Sequence, residues 1–384
     1  MSMTATPATL SAEERDAILD AVREFADTRL APHALVWDRD KHFPLDALAA
    51  AGELGLGGIS VRDDVGGAGL RREDAAAIFE ALAMGDPTIA AYISIHNMVA
   101  WMIDTFGTDD QRRRWLPNLV AMTELGSYCL TEPGAGSDAA AITTSAIPDG
   151  DEYVLTGVKQ FISGAGAAAV YVVMARTGAP GAKGITAFLV PADAAGLSFG
   201  PNEHKMGWNA QPTRQVILDE VRVPASAVLG EVGAGFRIAM KGLNGGRVNI
   251  AACSIGGAQW ALDRAVRYVH ERFTFGEALA ERQTVVFALA DMATQLQAAR
   301  ALVQGAARAI DEGAPDVAVQ CAMAKRFATD AGFEVANQAL QLHGGYGYLQ
   351  EYGIEKVVRD LRVHQILEGT NEIMRVIIGR GVLG

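Results

Sequence analysis

Glu368 lies in Ile366-Leu-Glu-Gly-Thr-Asn-Glu-Ile373, a carboxylate with apolar residues before it and capping residues after it. Gly369 breaks the helix that precedes it, and Thr370 or Asn371 can cap the helix that follows, with Glu372 in its first turn. A carboxylate desolvated on such a short interhelical loop has its pKa raised and becomes a proton acceptor near neutrality. A solvated loop glutamate is the alternative. Two glycine motifs stand beside it in the chemical inventory. Gly134-Ala-Gly136-Ser-Asp-Ala139 has the spacing of a dinucleotide fingerprint after a short strand, Ser127–Leu130. No helix pattern follows to receive a pyrophosphate, so a Rossmann site is not expected. What remains is a loop of backbone N–H groups with hydroxyls at Thr131 and Ser137, which can bond a heteroaromatic edge or a phosphate, or an ordinary surface turn. In His343-Gly-Gly-Tyr-Gly347, Gly344 suits a helix C-cap, or bare backbone that lets a phosphate or ring approach.

Other chemistries are excluded by spacing. The seven histidines form no HExxH or paired ligand pattern, so His343 and His364 read as packing or hydrogen-bonding groups and no metal is expected. Cys129, Cys253 and Cys321 are too scattered for a disulfide framework or a zinc site and read as small buried hydrophobes. There is no GxSxG elbow and no P-loop.

The elements that must position Glu368 fall in three zones. From Ser11 to about Leu125 the period is helical, opened by the capping box Ser11-Ala-Glu-Glu14 and by Ile18, Val22 and Phe25 on one face, with further helices at about 72–84 and 88–106. From about Gly126 to Glu231 the period is two, with strands at 153–158, 170–174, 185–190 and 215–223 separated by turns such as Pro148-Asp-Gly150. From Phe236 onward the helical period returns, with long helices at roughly 283–312 and 315–342. The expected fold is therefore α+β: an N-terminal α domain (1–125), a middle antiparallel β domain (126–233) and a C-terminal helical bundle (234–384).

With 384 residues, half of them hydrophobic, the chain can bury a large core. A formal charge of −12, from 33 basic against 45 acidic residues, argues against a nucleic-acid partner. No stretch reaches the ~18 apolar residues of a membrane span; the longest, 89–103, is interrupted by His96 and Asn97. Glu13, Glu14 and Asp16 precede any apolar run, unlike a signal or transit peptide, so a cytoplasmic location is expected.

Taken together, Tyr128-Cys-Leu-Thr-Glu-Pro-Gly-Ala-Gly-Ser137, Lys159-Gln-Phe-Ile-Ser163, Glu271-Arg-Phe-Thr-Phe-Gly276, Gln341-Leu-His-Gly-Gly345 and Leu367-Glu-Gly-Thr-Asn-Glu372 resemble the acyl-CoA dehydrogenase family. The resemblance implies that the C-terminal domain is a four-helix bundle, with bound FAD, usually a homotetramer, an electron-transfer flavoprotein as redox partner, and α,β-dehydrogenation of an acyl-CoA thioester. Glu368 matches the base that takes the α-proton. Tyr128, Leu130, Thr131, Gly136 and Ser137 match the flavin loop, with Ser137 also near the CoA moiety. Phe161, Ile162 and Ser163 match the strand over the flavin, where many members carry tryptophan instead of phenylalanine.

Arg272, Thr274 and Phe275 match a segment reaching the FAD of a neighbouring subunit, and Arg272 suits a pyrophosphate. Gln283, the run Gln341, Leu342, His343, Gly344 and Gly345, and Thr370, Asn371 and Glu372 complete the implied cofactor set. Asn244, Gly245, Gly246, Arg247, Gly369 and Arg380 match substrate positions. Some branches place their glutamate on the helix near Arg247, but glycines stand there in this chain. Those glycines are expected to leave room beside the acyl group. Phe161, Asn244-Gly-Gly-Arg247 and His364-Gln-Ile-Leu-Glu368 resemble most the branch acting on short, α-branched isobutyryl-CoA. An oxidase passing electrons to oxygen, or a non-catalytic protein on the same fold, are the rival readings.

Overall fold

Ser11 caps the first helix as its sequence requires, its hydroxyl accepting from the Glu14 N–H while the Glu14 carboxylate accepts from the Ser11 N–H. The computed structural model describes residues 10–384. The N-terminal zone is helical throughout: α1 (Ala12–Phe25), α2 (Ala34–Asp40), α3 (Leu45–Glu53), α4 (Arg72–Gly85), α5 (Pro87–Phe106) and α6 (Asp109–Val120). α5 is buried along almost its whole length, which explains an apolar run that a surface helix could not carry.

The middle zone contributes β1 (Gly126–Cys129), β2 (Ser145–Asp149), β3 (Glu152–Ser163), β4 (Val170–Arg176), β5 (Ile185–Pro191), β6 (Leu197–Phe199), β7 (Thr213–Pro224) and β8 (Val228–Leu229) to one sheet. The order is β6-β7-β3-β2-β4-β5-β8, with β1 also lying along β4. Most pairs are antiparallel, as expected. The exceptions are β1 with β4, from Gly126↔Val170 to Cys129↔Val173, and the single bridge of β2 to β4, which are parallel. The continuously apolar β4, buried on both faces, marks the centre of the sheet.

The C-terminal zone is α7 (Gly235–Glu271), a small hairpin β9 (Phe273–Thr274) and β10 (Glu277–Ala278), α8 (Gln283–Glu312), α9 (Val317–His343), α10 (Ile354–His364) and α11 (Asn371–Leu383). α7 is the axle of the molecule, packed on α4 and α5 on one side and on α8 and α9 on the other. Its glycines permit that closeness. A β-carbon at Gly256 would stand 2.1 Å from the Glu80 carbonyl oxygen of α4.

A buried charge cluster fixes α10 before it delivers the Glu368 loop. The Lys356 ammonium donates to Asp86 (2.9 Å) at the start of α5 and to Asp360 (2.7 Å) on its own helix. Asp360 also accepts from the Thr88 hydroxyl (3.0 Å) of α5 and from the Trp208 N–H (2.7 Å) in the loop before β7, so three zones meet on one carboxylate. Among the described residues no helix is long and apolar enough to cross a membrane, and the three cysteines are buried and free.

Candidate active site

α10 ends at His364 and α11 begins after Thr370, whose hydroxyl accepts from the Ile373 N–H at 3.3 Å. Between them the backbone turns left-handed twice, at Glu368 (φ +56°) and Gly369 (φ +88°). Glycine adopts that conformation freely; glutamate does so under strain, which is characteristic of functional loops. The turn sends the Glu368 side chain back against α7, where Oε2 is buried without a hydrogen-bond partner. Burial drives its pKa up from 4.5 to about 7, against the opposing charges of Arg247 and Lys325. The expectation of a desolvated carboxylate, rather than a solvated one, is thus met by the structure.

The carboxylate fits there because residue 246 has no side chain. A β-carbon on Gly246 would stand 2.7 Å from Oε2 and 2.9 Å from Cδ of Glu368. One on Gly245 would stand 3.0 Å from the Arg72 guanidinium, which lies over the Trp101 ring at 4.9 Å. The space left by the glycine pair is therefore filled by protein. The pair makes room for a carboxylate and a guanidinium, whereas the sequence suggested room for an acyl chain.

Arg247 is buried next to this pair; its Nε donates to the Glu368 carbonyl (3.1 Å) and its Nη1 to Asn244 Oδ1 (3.0 Å). Tyr128, at the end of β1, points a buried and unpartnered hydroxyl into the same region, and burial followed by the nearby Glu368 charge pushes its pKa well up. Beneath the loop, Lys325 of α9 donates to the Gly369 carbonyl (2.9 Å) and to Asn371 Oδ1 (2.8 Å).

From Tyr128 the chain runs straight into the Thr131–Ser137 loop. Glu132 and Ala135 exchange backbone hydrogen bonds across it, and the Gln160 N–H of β3 donates to the Thr131 carbonyl at 2.8 Å. What holds the loop on the sheet is a pair the site reading had passed over. The Lys159 ammonium donates to Glu132 (2.8 Å) and to the Leu130 carbonyl (3.1 Å). Burial opposes ionisation of Glu132, but Lys159 and the hydrogen bonds of Thr143 and Thr144 outweigh it and hold its pKa down to about 2.

Beyond Lys159 the pairing of β3 with β7 slips by a bulge, and Phe161 sits on it in left-handed backbone (φ +60°) with its ring 62% exposed. Leu130 and Ile162 are buried beneath, and the Ser163 carbonyl accepts from Ser127 Oγ. The outward Phe161 side chain, the open space at Gly134 and Gly136 and the unpartnered Tyr128 hydroxyl are the kinds of group that can meet a flat heteroaromatic ring.

A second cluster lies elsewhere. Arg272, Thr274, Gln341, Leu342, His343, Gly344 and Gly345 line one recess of about 490 Å³. Tyr268 stacks on His343 at 4.3 Å, and the Arg272 guanidinium lies over the Tyr346 ring at 5.7 Å. Gly344 (φ +58°) ends α9, and a β-carbon at Gly344 or Gly345 would meet nothing within 4 Å. So the C-cap and the bare approach surface coexist there. Arg282 reaches back to the Thr274 carbonyl (2.7 Å) and lies over Phe275, whose ring is 97% exposed in left-handed backbone. Gln283 is exposed as the first residue of α8.

The two clusters are well separated, since Lys325 and His343 mark their places on α9 and eighteen residues of helix span roughly 27 Å. Asn371 is buried, with its amide committed to Lys325, Thr329 and Asp330. Glu372 is exposed, as is Arg380. Arg380 lies nine residues along α11 from Asn371, so the structure does not gather it with Glu368. Among the described residues no group of His, Cys, Asp or Glu could hold a metal ion.

Comparison with known proteins covers the whole of this arrangement. The N-terminal, middle and C-terminal domain models of acyl-CoA dehydrogenase match residues 12–123, 127–221 and 233–383. A mitochondrial isobutyryl-CoA dehydrogenase of Bos taurus is 52% identical over 371 residues, 97% of this chain and 89% of the relative. Its namesake from Dictyostelium discoideum is 53% identical over 358 residues, 93% of this chain and 86% of the relative. Among solved structures, butyryl-CoA dehydrogenase from Megasphaera elsdenii superposes with a TM-score of 0.94 at 37% identity, covering 98% of this chain and all of that one.

Proposed function

The chain belongs to the acyl-CoA dehydrogenase family, and from that membership we propose that it oxidises a short, α-branched acyl-CoA, isobutyryl-CoA before others, to the 2-enoyl thioester. The observation that carries this reading is Glu368, a buried carboxylate with a free Oε2, a pKa near 7 and a backbone held from two sides. Such a group is ionised often enough at neutral pH to take a proton and basic enough to keep it. FAD, when bound, supplies acceptance of the β-hydrogen as hydride.

The rest falls to the chain's own side chains. The Glu368 carboxylate takes the α-proton, and Arg247 and Lys325 fix its loop. The 131–137 loop and Phe161, Ile162 and Ser163 would hold the flavin ring. Thr370, Asn371 and Glu372 remain in the implied cofactor set through their backbone at the start of α11. Arg272, Thr274, Phe275, Gln283 and the 341–345 turn would serve the FAD of a neighbouring subunit, a reading supported by their distance from Glu368 along α9. A homotetramer with domains at 1–125, 126–233 and 234–384, passing electrons to an electron-transfer flavoprotein, follows from the same reading. Three buried free cysteines fit a reducing compartment, and the cytoplasm is our reading of it.

The test is steady-state turnover of isobutyryl-, 2-methylbutyryl-, butyryl- and octanoyl-CoA with an artificial electron acceptor that reoxidises the flavin. Isobutyryl-CoA should give the highest kcat/KM, with neighbours reduced rather than silent, because one methylene is worth only about 1–3 kcal/mol in an apolar pocket. Highest kcat/KM on octanoyl-CoA would overturn the substrate assignment.

A further inference from the structure

Lys325 sits in the interior of α9, in the run Cys321-Ala-Met-Ala-Lys-Arg-Phe327, and is fully buried. An ammonium in such a place must be satisfied by its surroundings. Its partners are the Gly369 carbonyl at 2.9 Å and Asn371 Oδ1 at 2.8 Å, one on each side of Thr370. The loop it holds is also tied by the Thr370 cap and by the Asn371 amide on Thr329 and Asp330, all at its far end. Ile366 and Leu367 donate back to the Val363 carbonyl and Asn371 to the Gln365 carbonyl, while the two left-handed residues, Glu368 and Gly369, turn their carbonyls towards the interior. Each of these carbonyls is met by a buried cation: Glu368 by Arg247 of α7, Gly369 by Lys325 of α9.

We propose that Lys325 is a positioning residue for the reaction, clamping the Gly369 carbonyl and the Asn371 side chain so that the Glu368 carboxylate is held against Gly246 and aimed at the substrate's α-carbon. This rests on the reading of Glu368 as the base. A residue that merely filled the core would be small and apolar, like the buried Ala322, Ala324 and Ala328 beside it; an ammonium there meets the loop carbonyl from below.

The ammonium also acts through its charge. The groups that face Glu368 and Lys325 are Arg247 on α7, Tyr128 on β1, Asp330 on α9, Glu372 on α11 and the buried His364 on α10, whose imidazole burial and the Lys325 charge keep neutral. Burial brings the Lys325 pKa down to about 7, with Glu368 the largest influence holding it up. A cation beside a carboxylate favours the ionised form, so removing it raises the carboxyl pKa.

The experiment compares Lys325→Met, which keeps most of the unbranched side chain without its charge or donors, with wild type as holoenzymes. With isobutyryl-CoA, kcat should fall about ten- to hundredfold, the cost of a base displaced by about 1 Å. KM should stay within about twofold, at unchanged flavin content. The rising limb of the pH–rate profile should move to higher pH. A second reading needs no turnover: the Glu368 carboxyl stretch, isolated by infrared difference against Glu368→Gln, should titrate at higher pH in Lys325→Met. Should Lys325→Met not accumulate as folded holoenzyme, Lys325→Gln, which keeps a donor but no charge, should show the same titration shift with a smaller loss of kcat.

A kcat that falls only in step with lost flavin, or an unmoved carboxyl titration, would overturn the proposal. If wild type is reduced by no acyl-CoA, the functional reading fails, while the infrared titration still decides whether Lys325 governs Glu368.

Discussion

Replacing Gly246 by alanine should move stability and activity in opposite directions. Alanine in a helix interior is favoured over glycine by about 1 kcal/mol, and residue 246 lies well inside α7. The new methyl would stand 2.7 Å from Oε2 of Glu368, closer than any relaxed contact. That oxygen is the far end of a flexible side chain, so the carboxylate yields before the helix does. A displacement of up to 1 Å at a reacting group costs about ten- to hundredfold in rate, or about 1.4–2.7 kcal/mol of barrier. The assay is kcat and KM for isobutyryl-CoA beside a thermal melt and a flavin count on the same preparation. The variant should melt no lower than wild type and keep its flavin while kcat drops by that factor. A kcat within about twofold of wild type, or a collapse in melting temperature, would refute the claim that the missing side chain at 246 seats the base.

Arg272→Ala should lose FAD on dialysis while still folding, because a charge-assisted contact to a pyrophosphate is worth about 1.5–3 kcal/mol, or ten- to hundredfold in affinity; full retention would remove Arg272 from the cofactor set. Glu132→Gln should destabilise the chain by about 3–5 kcal/mol by stranding the buried Lys159 charge, and adding Lys159→Met should recover most of that in a denaturant melt. Glu368 supplies a pH test of stability. Its folded pKa of about 7 exceeds its ordinary 4.5, so the native state binds more protons and stability falls as pH rises between those values. Glu368→Gln should therefore gain stability over wild type across that window, on the order of 1–3 kcal/mol at its upper end, and a constant difference in melting temperature would contradict the burial of the carboxyl.

Much of the scaffold was legible because its signals are local. The Ser11-to-Glu14 capping box, the strands at 153–158 and 170–174 and the Thr370 cap each depend on residues within a few positions, whereas the helix expected to run to Gly369 stops at His364. Glu368 on a short interhelical loop was readable for the same reason. The parallel pairing of β1 with β4 was not, since the strands lie more than forty residues apart and each carries the same apolar period either way. Nor was the fit of Glu368 against Gly246, which joins positions 122 apart and reverses the meaning of the glycine pair. Glu132 and Lys159 each stood inside a recognised motif, but only their contact reveals that they bind the flavin loop to the sheet. Lys325 carried one signal, a lysine in an alanine-rich stretch, which burial alone could interpret. The left-handed backbone at Phe161 and Glu368 is likewise beyond local reading, whereas that at Phe275 belongs to the two-residue hairpin turn Phe275-Gly276; these are three of the seven non-glycine residues with positive φ among the described residues.

The central claim, that Glu368 removes the α-proton, is tested most directly by mixing isobutyryl-CoA anaerobically with the Glu368→Gln holoenzyme and following flavin absorbance. Glutamine keeps the shape of the side chain but cannot accept the proton, so the variant should stay yellow, bind the thioester, and bleach at least about a hundredfold more slowly than wild type. Bleaching within about tenfold of the wild-type rate, a barrier change of only ~1.4 kcal/mol, would mean that another group is the base.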